Sequence, residues 1–344
     1  MKHLRRMALG LVALIATVSL VTLSPRAMAQ APAEAVSAAT LDSAGLTLTK
    51  LGEGIYGLIA STDFPPTNPD LAICNGGIVI GSDGVLVVDP FQNETLGNLL
   101  FDTVATLTDQ PVKYVVNTHY HFDHTGGNPA AASREVPILG RGPIREWMLS
   151  RNAETDPNLT PPEVIIDGSW DLWLGDGQGP AQGQRTVEIR EFDGHTGGTD
   201  LIAYVPDADV LIAGDLLFNQ RIPYLADGNI RVLQATLDQL IADYPTAAVL
   251  PGHGPVAETV AAIADLRAFL DDLEALALEW KAADTSKEEA LATSLPDPQY
   301  SDFLFQGLFP ISLEVAYNQI TLGEDDAASI QQYLATQPEV LKAL

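Results

Sequence analysis

Only one cysteine, Cys74, stands in the 344 residues. No internal disulfide can form, and a Cys-x-x-Cys metal or redox site is excluded. Cys74 sits in the apolar stretch LAICNGGIVIG with no histidine beside it, so it reads as a buried thiol rather than a nucleophile. Positive charge is also scarce. Eighteen Lys and Arg face 45 Asp and Glu, for a formal charge of −27 at pH 7. A surface that acidic repels phosphate backbones and argues against nucleic acid as a partner. No GxSxG segment is present to form a serine elbow. Beyond Leu23 no apolar run is long enough to span a bilayer. Histidine is rare as well, with six in all, yet three of them fall within THYHFDH at residues 118–124.

What is present allows a sizeable core: 46% hydrophobic and 18% charged residues. The first 29 residues have the form of a signal peptide. A basic start (Lys2, Arg5, Arg6) precedes an apolar run from Met7 to about Leu23, and Ala27-Met28-Ala29 offers a cleavage site. The expectation is export to the periplasm or medium, a mature chain from about Gln30, and no stable membrane insertion after cleavage. Arg5-Arg6 is compatible with twin-arginine export as well as the general route. Removing four basic residues and no acids would leave the remainder more acidic still.

From about Leu46 short apolar or alternating runs (LTLTKL, GIYGLIA, GGIVIG, GVLVVD) predict an antiparallel start with tight turns. The proline-rich STDFPPTNPD between the second and third runs predicts a loop. The middle alternates helical patterns (TLGNLLFDTVATL, PIREWMLSRN, LQATLDQLIADY) with strand patterns (KYVVNT, VPILG, VEIREF, DLIAYV, DVLIAG, AAVLPG). That mixture predicts a layered α/β architecture. From about Glu258 the chain turns to helical periodicity and predicts a C-terminal helical extension, residues 258–344, packed on a main domain of residues 45–257.

Outside the leader, every histidine falls in a glycine-flanked stretch at the end of a strand-like run: VVNTHYHFDHTGG, EFDGHTGGTD and AVLPGHGP. A fourth such stretch, DVLIAGDLLF, carries Asp215. In extended chain, residues two apart face the same way, so His119 and His121 can reach one cation together. Asp123 and His124 follow where the chain turns, and can serve a second position. Imidazole and carboxylate are ligands suited to Zn²⁺. One strand histidine is usually a hydrogen-bonded core residue, but five in matching contexts, with two matching aspartates, point to metal.

HxHxDH, then GHT, AGD and PGHG, in that order over about residues 45–257, resemble the signature of the metallo-β-lactamase superfamily. The resemblance implies a four-layer αββα sandwich with metals at one edge of its two sheets. It implies that His119, His121 and His195 hold a first metal, that Asp123, His124 and His253 hold a second, and that Asp215 bridges them. Asp89, ending GVLVVDP, matches the family's early aspartate, which orients ligands. The segment from AGDLLFNQRIPYL to VLPGHGP is similar to exported zinc hydrolases beside quinoprotein-oxidation or sulfur-oxidation systems. THYHFDHTGGN is similar to glyoxalase II-type thioesterases.

With two Zn²⁺, such a centre would activate water against a carbonyl of an amide, lactone, ester or thioester, with Asp123 and Asp215 as the catalytic carboxylates. Counting two zinc ions, two aspartates and a hydroxide leaves the centre near +1, which predicts a small-molecule substrate carrying a carboxylate. Arg221 and Tyr224, in NQRIPYL, are candidates to line the pocket, with Arg221 forking onto that carboxylate. The loop around Phe64 is a candidate cover. Trp170 and Trp173 would either stack on substrate or pack in the core. Three other readings stay open: a β-lactamase, disfavoured because those relatives usually replace the bridging aspartate; a mononuclear iron persulfide dioxygenase using His119, His195 and Asp215; and a non-catalytic metal- or partner-binding protein. The oligomeric state is not legible in the sequence.

Overall fold

A computed structural model of the chain describes residues 36–153, 158–175, 184–293 and 298–323. The predicted leader and the last part of the helical extension lie outside the described residues. Among the described residues no helix is long and apolar enough to cross a membrane.

Two sheets carry the fold. The first has seven strands in sequence order: β1 (Leu46–Gly52), β2 (Ile55–Ala60), β3 (Gly76–Ile80), β4 (Val85–Val88), β5 (Val112–Val116), β6 (Ile138–Arg141) and β7 (Val164–Ile166). Strands β1 to β4 are antiparallel, as the short runs with tight turns predict, and β4 to β7 are parallel. The second sheet comprises β8 (Trp170–Trp173), β9 (Thr186–Glu191), β10 (Leu201–Val205), β11 (Val210–Phe218) and β12 (Ala248–His253), in the order 12-11-10-9-8.

Side-chain alternation sorts each strand between two cores. In β4, Val85 and Val87 face outward, onto Leu96, Leu100 and Val104 of helix α2. Leu86 and Val88 face inward, where they meet Val187, Ile189, Ala203 and Ile212 of the second sheet. Around these strands the helices run α1 (Ala38–Ser43), α2 (Glu94–Leu107), α3 (Phe122–Thr125), α4 (Asn128–Ala132), α5 (Ile144–Trp147), α6 (Ile230–Asp243), α7 (Ala261–Ala283), α8 (Lys287–Leu291) and α9 (Phe309–Ala316). Helices α1, α2 and α4 cover the first sheet. Helices α6, α7 and α9 cover the second, through Leu233, Leu237, Phe269, Leu270, Leu273 and Ile311. Three apolar seams between four layers make the αββα sandwich.

Helix α2 starts where Asn93 Oδ1 accepts from Leu96 N at 2.9 Å, and α6 starts where Asn229 Oδ1 accepts from Val232 N at 3.0 Å. The second cap matters for function. Asn229 N donates to Gly194 O at 3.0 Å, so the head of α6 fixes the glycine-rich loop that carries His195.

Two short strands, β7 and β8, carry no strong period in the sequence. Trp170 and Trp173 lie on β8, an edge strand, and both are exposed. They neither fill the core nor line the site described below. Helix α7 packs against α6, and the segment after it returns to the body: Leu304 N donates to Gln220 O, and Ile222 N donates to Leu304 O at 3.0 Å.

Candidate metal centre

The seven residues singled out in the sequence converge where strand ends of both sheets meet, and none is more than 4% exposed. His119, His121, Asp123 and His124 follow β5. His195 sits on the loop between β9 and β10, Asp215 lies within β11, and His253 ends β12.

The donor atoms form two facing sets. In the first, His121 Nδ1 lies 3.0 Å from His119 Nε2 and 3.3 Å from His195 Nε2. Asp215 Oδ2 lies 3.5 Å from His119 Nε2 and 3.4 Å from His195 Nε2. In the second, Asp123 Oδ2 is 3.4 Å from His124 Nε2 and 3.3 Å from His253 Nε2. Asp215 completes this set as well, with Oδ1 3.1 Å from His124 Nε2 and Oδ2 3.3 Å from His253 Nε2.

These separations test whether a cation fits. Ligands about 2.0–2.2 Å from a tetrahedral centre are about 3.3–3.6 Å apart, close to the spacing found. Asp123 Oδ2 and Asp215 Oδ1 are buried and make no hydrogen bond, although imidazole nitrogens stand at ion-pair distance. Buried carboxylate oxygens left in that state are costly, and a shared cation removes the cost. The donor set of imidazoles and carboxylates suits a divalent metal.

The far nitrogens of four of the five rings are held too. His119 Nδ1 meets Thr118 Oγ1 at 2.9 Å, and His124 Nδ1 meets Asp89 Oδ2 at 2.9 Å. His253 Nδ1 meets Ile73 O at 3.1 Å, and His121 Nε2 meets Asp227 Oδ2 at 3.1 Å. Such contacts fix the ring orientation and the tautomer of a metal ligand. Asp89 stands against the ring of His124. Its other partners are Thr118 N and Oγ1, at 2.8 and 2.7 Å, so one carboxylate sets both the loop and a ring. Beneath His195, Asp200 fixes only the loop, accepting from His195 N and Thr196 N, and His195 Nδ1 is buried without a hydrogen bond.

Charge on the free ligands follows from this crowding. Burial pushes the Asp215 carboxyl up, but His253, His124 and His119 outweigh it and hold the group well below its ordinary range. Burial lowers His124, yet the carboxylates of Asp215, Asp123 and Asp89 raise it well above the ordinary imidazole value. His119 is driven well down by burial, with His124 adding to the effect. A cation binding here competes with protons for these imidazoles. Cys74 also lies close, but its thiol donates to Asp123 O at 2.9 Å and burial pushes its pKa well up. It supports the Asp123 backbone and stays protonated.

Asp227 is the residue the sequence reading missed. It lies in YLADGNI, where an aspartate before glycine reads simply as a turn. Buried beside His121, it also accepts from Tyr120 Oη at 2.5 Å and Arg151 Nη1 at 2.9 Å. Burial raises its carboxyl, but His121, Tyr120 and Arg151 pull it below the usual range. Replacing Asp227 by Asn is expected to weaken metal binding about 10- to 100-fold at the His119–His121–His195 set. A chelator competition titration would then become biphasic. An unchanged titration would remove Asp227 from that role.

Tyr224 lines the cavity over the metal ligands, with its ring 5.4 Å from that of His121, and burial keeps its phenol protonated. Arg221 does not line the cavity. It is 8% exposed, donates from Nη1 to Gln220 O and lies 5.7 Å from the Phe305 ring. The expected fork onto substrate therefore gives way to packing. Phe64 does cover the cavity, joined by Phe305 and Leu308 from far along the chain.

The sequence profile of the Metallo-beta-lactamase superfamily matches residues 69–253, more than half of the chain. The chain belongs to the metallo-beta-lactamase superfamily. Within that superfamily, it is similar to the Probable metallo-hydrolase YqgX of Bacillus subtilis, 28% identical over 188 residues, or 53% of this chain and 85% of that protein. It is also similar to the Hydroxyacylglutathione hydrolase of Thermosynechococcus vestitus, 29% identical over 154 residues and 45% of this chain. The matched region spans about half (52%) of that relative's length. Among solved structures, the Metallo-beta-lactamase from Pontibacter korlensis superposes with a TM-score of 0.54 over 66% of this chain and 99% of its own, at 22% identity. At that identity the likeness speaks for the fold. Superfamily and relatives together make this chain a metal-dependent hydrolase.

Proposed function

We propose that the protein is an exported dinuclear zinc hydrolase that cleaves a carbonyl–heteroatom bond in a small thioester, ester, lactone or amide. The observation that carries this reading is Asp215, whose two oxygens face both ligand sets at 3.1–3.5 Å. His119, His121 and His195 would hold one ion, and Asp123, His124 and His253 the other.

Metal in such a cradle acidifies water and polarises a carbonyl. The chain's own residues supply the rest. Asp89, Asp227, Thr118 and the Ile73 carbonyl keep the imidazoles aimed inward. Asp123 Oδ2, buried and without a hydrogen bond, is placed to take a cation. Phe64, Phe218 and Phe305 keep bulk water away from the reacting centre. The likeness to hydroxyacylglutathione hydrolases supports thioester cleavage within this range. Export rests on the leader pattern alone.

The experiment is metal quantification on the purified protein, followed by a hydrolysis panel of thioesters, esters, lactones and β-lactams. The expected result is two zinc ions per chain and turnover of at least one carbonyl compound. One iron per chain with persulfide oxidation would overturn the proposal. So would a metal-loaded protein inert to the whole panel.

A further inference from the structure

The stretch Pro251–Gly254, at the end of β12, carries His253 and is held by its main-chain carbonyls. Asn75 takes three of the four. Its backbone N donates to Gly252 O at 2.8 Å, and its Nδ2 donates to Pro251 O and Gly254 O, each at 2.9 Å. The remaining carbonyl, His253 O, accepts from Asn219 N at 2.9 Å. Asn75 Oδ1 in turn accepts from Ala60 N at 2.9 Å, just past the last β2–β3 pair, Leu58 with Gly76. Two carbonyls on one side and an N–H on the other fix which way the amide points. The residue is 3% exposed, so each of these groups would be costly to leave unpaired.

The two residues before Asn75 reach the same ligand set. Ile73 O faces His253 Nδ1 at 3.1 Å, and Cys74 Sγ donates to Asp123 O at 2.9 Å. Three consecutive residues thus hold the ring of His253, the backbone of Asp123 and the loop that carries His253. Among the described residues, none of their hydrogen bonds reaches His119, His121 or His195. The ring of His119, the ring of His121 and the loop of His195 are fixed from elsewhere, by Thr118, Asp227 and Asp200.

We propose that Ile73, Cys74 and Asn75 form a clamp that positions one ligand set alone, with Asn75 as its principal positioning residue, acting through His253. The proposal rests on the two-ion reading and deepens it. The ion held by Asp123, His124 and His253 depends on the clamp, and the ion held by His119, His121 and His195 does not.

Asn75→Asp tests it. The change keeps the size of the side chain and the acceptor for Ala60 N, but it turns an oxygen toward the Pro251 and Gly254 carbonyls. Zinc is titrated into the purified protein against a chromophoric chelator, with a thermal melt in chelator to record the fold. The wild type should take two ions. In Asn75→Asp one ion should keep its affinity and the other weaken about 10- to 100-fold. Equal weakening of both ions, or of neither, would overturn the proposal. Cys74→Ala covers the case in which Asn75→Asp does not fold: the same ion should weaken at least threefold, with partial recovery in Cys74→Ser, and no change would refute the clamp. In a His253→Ala background, Asn75→Asp should alter the remaining affinity less than twofold, because its route is already cut. A further tenfold loss there would mark general disruption and count against the proposal. The imidazole Cε1–H signals of the metal-free protein need no ion. The His253 signal, assigned by its loss in His253→Ala, should shift or broaden in Asn75→Asp while those of His119 and His195 stay in place. If the wild type takes up only one ion and the His253 signal still responds alone, the two-ion reading fails and the positioning assignment stands. If the His253 signal does not respond, the clamp is refuted whatever the metal count.

Discussion

Asp215→Ala is expected to abolish turnover and strip the protein of most of its metal in one change. The carboxylate faces both ligand sets, so its loss removes one donor from each. Metal polarisation and water activation are worth several kcal/mol of barrier, and each 1.36 kcal/mol is tenfold in rate, so a fall of about 10³-fold or more follows. The fold should fare better than the chemistry. The imidazoles around position 215 can shed their protons, which limits the loss in the metal-free protein to about 1–3 kcal/mol. Metal analysis beside thermal melts in chelator separates the two effects. An Asp215→Ala protein that keeps its metal and its rate would end the proposed mechanism.

Gly252→Ala should come close to that effect without removing any ligand. A Cβ at this position would overlap Asp215 Oδ1 and lie 2.7 Å from the Gly214 carbonyl carbon and 2.9 Å from Asp215 N. Two of these atoms are backbone, so no rotamer change relieves the clash. Strands β11 and β12 must separate, which costs about 1–3 kcal/mol as other overpacked sites do, and Asp215 must leave its place between the two sets. The expected result is a lower melting temperature together with loss of bound metal and activity. Activity at the wild-type level with full metal would show that the strand pair tolerates the insertion.

The candidate ligand cluster was legible because each of its residues is marked by local sequence. Alternate positions in extended chain align His119 with His121, and glycines stand beside His195, Asp215 and His253. The three apolar seams were legible for a similar reason, since alternation in runs such as GVLVVD sorts side chains between two faces. Asp227, Tyr120 and Arg151 were not. Their meeting depends on α6 docking beside the β5 loop, and nothing in ADGN or SRN marks that event. Phe305 and Leu308 were hidden in the same way, inside a stretch that sequence could describe only as helical. Arg221 misled because a charged side chain after Asp215 suggests a ligand for substrate, while the chain turns it beneath Phe305.

The short pairing of Leu304 with the segment around Arg221 brings a late stretch of chain to the mouth of a cleft assembled entirely from earlier ones. The candidate ligand cluster and part of the cavity wall over it are therefore written in separate passages of the gene. Drift in the late passage can change which molecules are admitted while the ion-holding residues stay untouched, a division that lets one lineage of such proteins acquire new diets without reinventing its chemistry.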